Sequence, residues 1–524
     1  MPKATHPVPQ SSGDQSATEV SRPRMAGLCL LLSAIGVAVT WWLLWGTSLP
    51  LGIPDQWTWV RLSLEPDVPW NLLLAIPFAV GYGALVWRGW RRLDRAGTSE
   101  TALFLVALGL ASFAWLWVIQ ESGPMAQRLS KGPFVLFYPQ SSGYFYQVRY
   151  EAADAATFLA RYEDLMAEGD VLHVGTHPPG LFLLFFGLRD VCEASTSLTD
   201  LLLATQPESV RLADESVVEN SAASQPPREV RRTDLAALWL AVLLAQGLAV
   251  LTVWPLYGLL RRTESRSTAY VLSACWPLGP AVAIFLPKSD VAYAGLAVLW
   301  MWTWLRATDR GSWTLAVLAG VVAWLGMLCS LAFLPVFLAG VVAAVVELAD
   351  VSDPGERRSR LYRLAGFSLA AGAVFLALTA LLWFLADVNL LRVWLMNYRN
   401  HAGFYGKFPR SYPGWLLLNP LELSIAVGVP IAILGAAGSL YGWNDGGRTR
   451  AVTAAVVGVW GLLWLTGKNS GEAARLWTLL MPWCLWLAGP ALRRANVAWF
   501  VAGWIGLQLA AQVVTVLRVG GFHF

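Results

Sequence analysis

Charge is scarce in this chain. Only 14% of its 524 residues are Asp, Glu, Lys or Arg, against about 25% in a soluble domain, which excludes an ordinary water-soluble globule. Cysteine is scarce too. Cys29, Cys275, Cys329 and Cys484 sit inside apolar runs and Cys192 stands alone, so no CxxC spacing offers a thiolate metal site and no pairing offers a disulfide frame. The formal net charge of +4 is small for this length, and no basic cluster suggests nucleic acid. No internal repeat of the kind found in transporters recurs along the chain.

What is abundant is apolar sequence, at 56% of residues. Runs of roughly 17 to 25 residues, the length that crosses about 30 Å of hydrocarbon, recur from Met25 to the C-terminus. They fall near 25–45, 70–88, 101–120, 235–259, 268–286, 289–306, 313–329, 331–347, 365–386, 416–440, 451–466, 473–490 and 497–517. The expected fold is therefore an all-α polytopic membrane protein of about thirteen transmembrane helices. Residues 1–24 are polar and end in Arg22 and Arg24, which reads as a disordered cytosolic tail before a retained anchor.

Short cytoplasmic loops should hold the excess of Lys and Arg. Downstream of residue 235, one set of connections carries thirteen basic residues, including Arg261, Arg262, Arg448, Arg493 and Arg494, and the alternate set carries eight. This places the chain in the cytoplasmic membrane with the N-terminus inside and the C-terminus outside. Two long external loops follow, 121–234 and 387–415, and the stretch 193–234, rich in Ser, Ala, Gln and acids, reads as a flexible insertion. Leu181–Leu188 is too short to span, so 178–190 is expected to be an interfacial helix.

That helix begins in GDVLHVGTHPPGLFLLFFGL. His173 and His177 have the i, i+4 spacing of a helical metal pair, yet Gly175 lies between them and Pro178 follows, which disfavours a helix there. The prolines suit the first turn of a helix, where a missing N–H costs nothing. The sequence does not point to a cofactor, and a divalent metal stays open.

A histidine with two prolines before an apolar helix, in the first long external loop of a many-helix chain, resembles the HPP motif of the GT-C glycosyltransferases. The pattern is closest to the protein O-mannosyltransferase and lipid A aminoarabinose transferase branch. RRTDLAALWL, the turn FLPKSD and the late segment TGKNSGEAARLWTLLMPW are similar to features of that branch in the same order, over roughly residues 101–490. Residues 25–100 would then be two additional N-terminal helices before a GT-C-like domain over 101–517.

The resemblance implies a glycosyltransferase that takes a sugar from a polyprenyl-phosphate donor and gives it to a lipid, glycan or protein acceptor on the external face. It implies a catalytic acid just after the helix preceding the first external loop, where Glu121 stands. The family shows an Asp-Glu pair there and this chain a lone Glu, so Asp154, Glu163, Asp164 and Asp170 remain rivals. A polysaccharide polymerase or ligase and a lipid or solute transporter are the competing readings.

Such chemistry needs a carboxylate base and cations that hold the departing phosphate. Ionisable residues at the membrane edge are candidates by default. Lys468, Glu472 and Arg475 lie at one helix start, and Arg399 and His401 lie in NYRNHAGFYGKFPRSYPGW. Lys288 and Asp290 open another helix, where the macrodipole alone could explain the acid. In SSGYFYQVRY, Tyr144 and Arg149 offer a ring face and a cation to a sugar, beside the ordinary aromatic-belt explanation.

Overall fold

The computed structural model describes residues 13–170 and 174–522, and it is almost wholly helical. Among these residues, seven helices are long and apolar enough to cross a membrane: Pro23–Trp45, Val68–Arg95, Thr98–Glu121, Arg232–Leu260, Leu331–Ala349, Pro354–Ala386 and Ala498–Val516. Tyr412–Val427 and Val429–Asp445 make an eighth if that pair, bent by 110°, is one span. The bend falls at Gly428, whose φ of +96° is left-handed, and Pro430 follows it.

Seven or eight helices among the described residues pass by length and composition, against the thirteen apolar runs of the sequence, and backbone chemistry explains most of the difference. The run 268–286 is cut by Pro277, Gly279 and Pro280 into Arg266–Ala274, a single turn at Trp276–Leu278, and Pro280–Phe285. The run 473–490 is cut likewise, and its continuous helix begins only at Pro482. Trp313–Cys329 is 17 residues long. Ser289–Arg310 is continuous for 22 residues, but it carries Asp290, Arg306, Asp309 and Arg310.

The terminal helices lie side by side. Trp45 Nε1 donates to Val514 O at 3.0 Å, and the strand Val60–Arg61 pairs antiparallel with Val519–Gly520 just beyond the two helix ends. Residues 46–67, 405–415 and 465–475 gather at this same end. Gln56 Oε1 accepts from Ser411 N at 2.8 Å and Trp415 Nε1 at 2.9 Å, and Ser470 N donates to the Tyr405 hydroxyl at 3.2 Å. Phe285 and Phe522 meet there edge to face at 6.2 Å.

Two segments are more ordered than their composition suggests. Of the 1–24 tail expected to be disordered, residues 1–12 lie outside the described residues, and the part from Gly13 belongs to the helix Gly13–Trp45. The stretch 193–234, expected as a flexible insertion, forms Thr196–Ala204 and Glu208–Ala223. Val210, Ala213, Val217 and Ser221 repeat at three and four residues and are buried, so a polar-looking helix still has one face to pack. Trp239 Nε1 donates to Thr205 Oγ1 at 3.0 Å and pins this layer to the Arg232–Leu251 helix.

Gly180–Ala194 starts directly after Pro178 and Pro179, with Leu183 N donating to Pro179 O at 3.0 Å. Its buried face is Leu181, Phe182, Phe185, Phe186, Leu188 and Cys192. Gly180 is needed there, since a Cβ would lie 2.6 Å from Leu328 O.

Candidate functional site

Six of the expected residues are drawn into one cluster where the long loops meet the helical body. Lys288 and Asp290 stand on either side of the start of Ser289–Arg310, Glu472 caps the short helix Ala473–Leu476, and Arg475 lies within it. Arg475 Nη2 donates to Glu472 Oε2 at 2.6 Å, while its Nε lies 3.9 Å from Asp290 Oδ2, beyond hydrogen-bonding range. That Nε is buried without a hydrogen-bond partner. Lys288 is 6% exposed and its ammonium donates to Ser141 O. Burial, reinforced by the neighbouring Arg475, lowers Lys288 to about 7 against the opposite pull of Asp290 and Glu472.

Tyr144 roofs this group. Its buried ring meets His177 edge to face at 5.7 Å and Phe182 at 5.1 Å, and its hydroxyl feels the charges of Asp290 and Arg475. His177 Nδ1 is 3.0 Å from Thr176 Oγ1, and its carbonyl accepts from the Tyr162 hydroxyl at 2.6 Å. His173 lies outside the described residues. Among the described residues, no group of three His, Cys, Asp or Glu side chains converges as a metal site.

The turn holding Glu472 is unusual in its backbone. Gly467, Asn469, Gly471 and Glu472 all have positive φ, at 66°, 57°, 73° and 59°. Two of these are not glycine, and such strain persists only where the surroundings enforce it. Glu422 Oε1 helps to do so by accepting from Ala474 N at 3.0 Å.

Other expected residues are employed elsewhere. Glu121 accepts from Leu129 N at 2.9 Å and from Ser209 Oγ at 2.9 and 3.0 Å, with Arg128 and Lys131 as its charged neighbours. It ties the end of Thr98–Glu121 to the first-loop helices. Asp154 is exposed and caps Ala155–Ala160, accepting from Thr157 N at 2.8 Å and Oγ1 at 3.0 Å, and those bonds hold its carboxyl below the usual value. Arg149 Nε lies 2.9 Å from both oxygens of the fully buried Asp234 and braces the Arg232–Leu251 helix.

The second long loop forms Leu390–Lys407, capped by Asn389. His401 stacks on Phe404 at 6.4 Å, and burial followed by the charge of Lys468 lowers its pKa. Lys468 Nζ lies 5.8 Å from the Tyr398 ring, and Arg399 is exposed on the same helix.

Two asparagines of that helix escaped the sequence reading. Asn397 Nδ2 donates to Gly175 O at 3.0 Å and His177 O at 3.3 Å, and Asn400 Nδ2 donates to Gly175 O at 2.9 Å and Met166 O at 3.0 Å. They lock the second loop onto the first beside His177. Their i, i+3 spacing in NYRN was the available signal, since it puts both amides on one helix face. Next to this junction a cavity of about 810 Å³ opens among Gln140, Tyr146, Gln147, Phe158, Arg161 and Glu168.

No family model matches the chain, and no curated protein matches it. Among solved structures it is similar to the crystal structure of the Archaeoglobus fulgidus oligosaccharyltransferase in complex with zinc and sulfate. The identity is 15% and the TM-score 0.32, over 59% of this chain and 44% of that one, so the match spans less than half the length of that protein.

Proposed function

We propose that this chain is a membrane glycosyltransferase of the GT-C kind, moving a sugar from a polyprenyl-phosphate donor to a hydroxyl acceptor at the end that carries the Asp290–Arg475 cluster. The observation that carries this reading is a buried guanidinium edge with no hydrogen-bond partner, 3.9 Å from a carboxylate. A buried charge left unsatisfied is costly, and its persistence suits a site completed by a ligand.

Arg475 and Lys288 hold the donor phosphate, one as a planar fork and the other as a point charge. Glu472 fixes the guanidinium from its far side. Asp290, rather than Glu121, takes the acceptor proton as the acceptor oxygen bonds to the anomeric carbon. The bond from that carbon to the phosphate oxygen breaks, and the electron pair leaves with the phosphate. Tyr144 and His177 line the sugar's place, and the cavity around Gln140 and Tyr146 suits a bulky glycan acceptor. The arginines at the opposite end, Arg262, Arg448, Arg493 and Arg494, favour that end as cytoplasmic.

The test is purified protein in lipid nanodiscs with polyprenyl-phosphate hexoses and a glycan acceptor pool. Sugar transfer that Arg475→Ala lowers by about 10²-fold or more is expected, the scale of one lost anion-stabilising donor. A protein that consumes none of these donors, in a strain whose glycans are unchanged by its deletion, contradicts the proposal.

A further inference from the structure

Another cavity, of about 300 Å³, lies between the end of the first helix and Tyr412–Val427. Its walls are mostly aliphatic and aromatic: Leu43, Leu44, Leu418, Trp57, Trp59 and Trp415 among them. Trp57 packs on Trp59 at 6.3 Å and on Trp415 at 6.2 Å, so three indoles form one corner.

Two polar atoms in this apolar lining have no partner. Glu422, 8% exposed, uses Oε1 to accept from Ala474 N and leaves Oε2 unbonded. Trp59, 6% exposed, leaves its Nε1–H unbonded. The residues that line this cavity thus include an unpaired carboxyl oxygen, an unpaired indole N–H and indole faces. Burying either orphan without a partner costs about 1–3 kcal/mol, so the pair favours a ligand that satisfies both.

The ligand chemistry follows from this list. An unpaired carboxyl oxygen calls for an N–H, and the indole faces beside it favour a cation, whose charge would hold the carboxyl ionised; that makes the N–H an ammonium. The Trp59 donor calls for an oxygen acceptor on the same molecule. Leu49 and Leu421 also line the cavity and are 55% and 48% exposed, so its mouth gives onto the apolar belt of the molecule. The ligand therefore carries an alkyl chain.

We infer that this pocket binds a membrane lipid whose headgroup carries a primary ammonium and a phosphate or ester oxygen, the ammonium on Glu422 and the oxygen on Trp59. Because Glu422 also anchors Ala474, an occupied pocket braces the turn that presents Arg475. Binding itself does not require the transferase reading to hold.

The test is native mass spectrometry of the full-length protein in detergent with three lipids of matched chains: phosphatidylethanolamine, phosphatidylcholine and phosphatidylglycerol. Dodecylamine and dodecanol form a second arm that separates a lipid headgroup from a free alkylamine. Retention of phosphatidylethanolamine over the other two by at least tenfold is expected, with dodecylamine bound more weakly and dodecanol not at all. Glu422→Gln keeps the oxygen that accepts from Ala474, and Trp59→Phe keeps a ring while removing the N–H. Each should lower phosphatidylethanolamine retention by about tenfold. Equal retention of the three lipids, tighter binding of dodecylamine than of the lipid, or a wild-type profile in Trp59→Phe would overturn the inference.

Discussion

The two ends of the Ser289–Arg310 helix carry an aspartate each, Asp290 and Asp309, roughly 29 Å apart at 1.5 Å per residue. Their surroundings differ in one decisive way. Asp309 belongs to a closed ring. Arg262 Nε meets Asp309 Oδ2 at 2.9 Å and Arg262 Nη2 meets Glu347 Oε2 at 3.1 Å, while Arg448 Nη2 and Nε meet the other oxygens of the same two acids at 2.7 and 2.9 Å. Every carboxylate oxygen there has an arginine.

At Asp290 the nearest ion partner stands at 3.9 Å, the arginine keeps an unbonded edge, and burial lowers the lysine to about 7. A completed network is a clamp, and an incomplete one has room for a substrate. The same residue types are thus fully paired at one end of the helix and incompletely paired at the other.

The sharpest way to break this comparison is the same substitution at both ends. Asp290→Asn should lower sugar transfer by about 10²–10⁴-fold, the range of a lost general base, with little change in thermal unfolding. Asp309→Asn should leave turnover per folded molecule unchanged and cost about 1–3 kcal/mol, because it removes one of the two carboxylates that pair with Arg262, whose side chain is 4% exposed. Equal losses of activity at both ends would erase the distinction.

Arg475→Lys is the next largest effect. It keeps the charge but loses the planar fork, so about a tenfold loss in kcat/KM is expected, whereas a purely electrostatic site would tolerate it.

The smallest effect is in pH. Lys288 has a folded pKa of about 7, below its unfolded value of about 10.4. Between these two values the unfolded chain binds the extra proton, so stability should rise with pH across about 7 to 10 and be flat below. Phosphate binding needs the ammonium, so transfer should fall as pH rises through about 7, the folded value. Lys288→Arg should remove that fall in activity, read from a pH profile beside a thermal melt, and a wild-type profile in this variant would put the proton elsewhere.

Much of the site was legible because its residues share a signal. Lys288, Asp290, Glu472 and Arg475 are charges at the ends of apolar runs, where a residue must find a partner or a ligand. Glu121 gave the same signal but stands outside that cluster, and nothing local in VIQESGPM reveals that Leu129 N and Ser209 will reach its carboxylate. Tertiary partners separate a clamp from a site, and they are absent from a single chain read in order. The fold was legible as helical and membrane-embedded from apolar content. The breaks within its helices were not, because hydropathy averages over Pro277, Gly279, Pro280 and Pro482, which cut the backbone without lowering the mean. Asn397 and Asn400 were invisible for a third reason: polar amides on an amphipathic helix look solvated until the carbonyls of Gly175 and His177 arrive.

The most direct test of the central claim sets Asp290→Asn against Glu121→Gln in one transfer assay, with polyprenyl-phosphate hexose as donor and folded protein matched by gel filtration. Loss of turnover in Asp290→Asn by at least 10²-fold, with Glu121→Gln within a few-fold of wild type, is the expected result. Full turnover in Asp290→Asn with Glu121→Gln inactive would contradict it and return catalysis to the first loop.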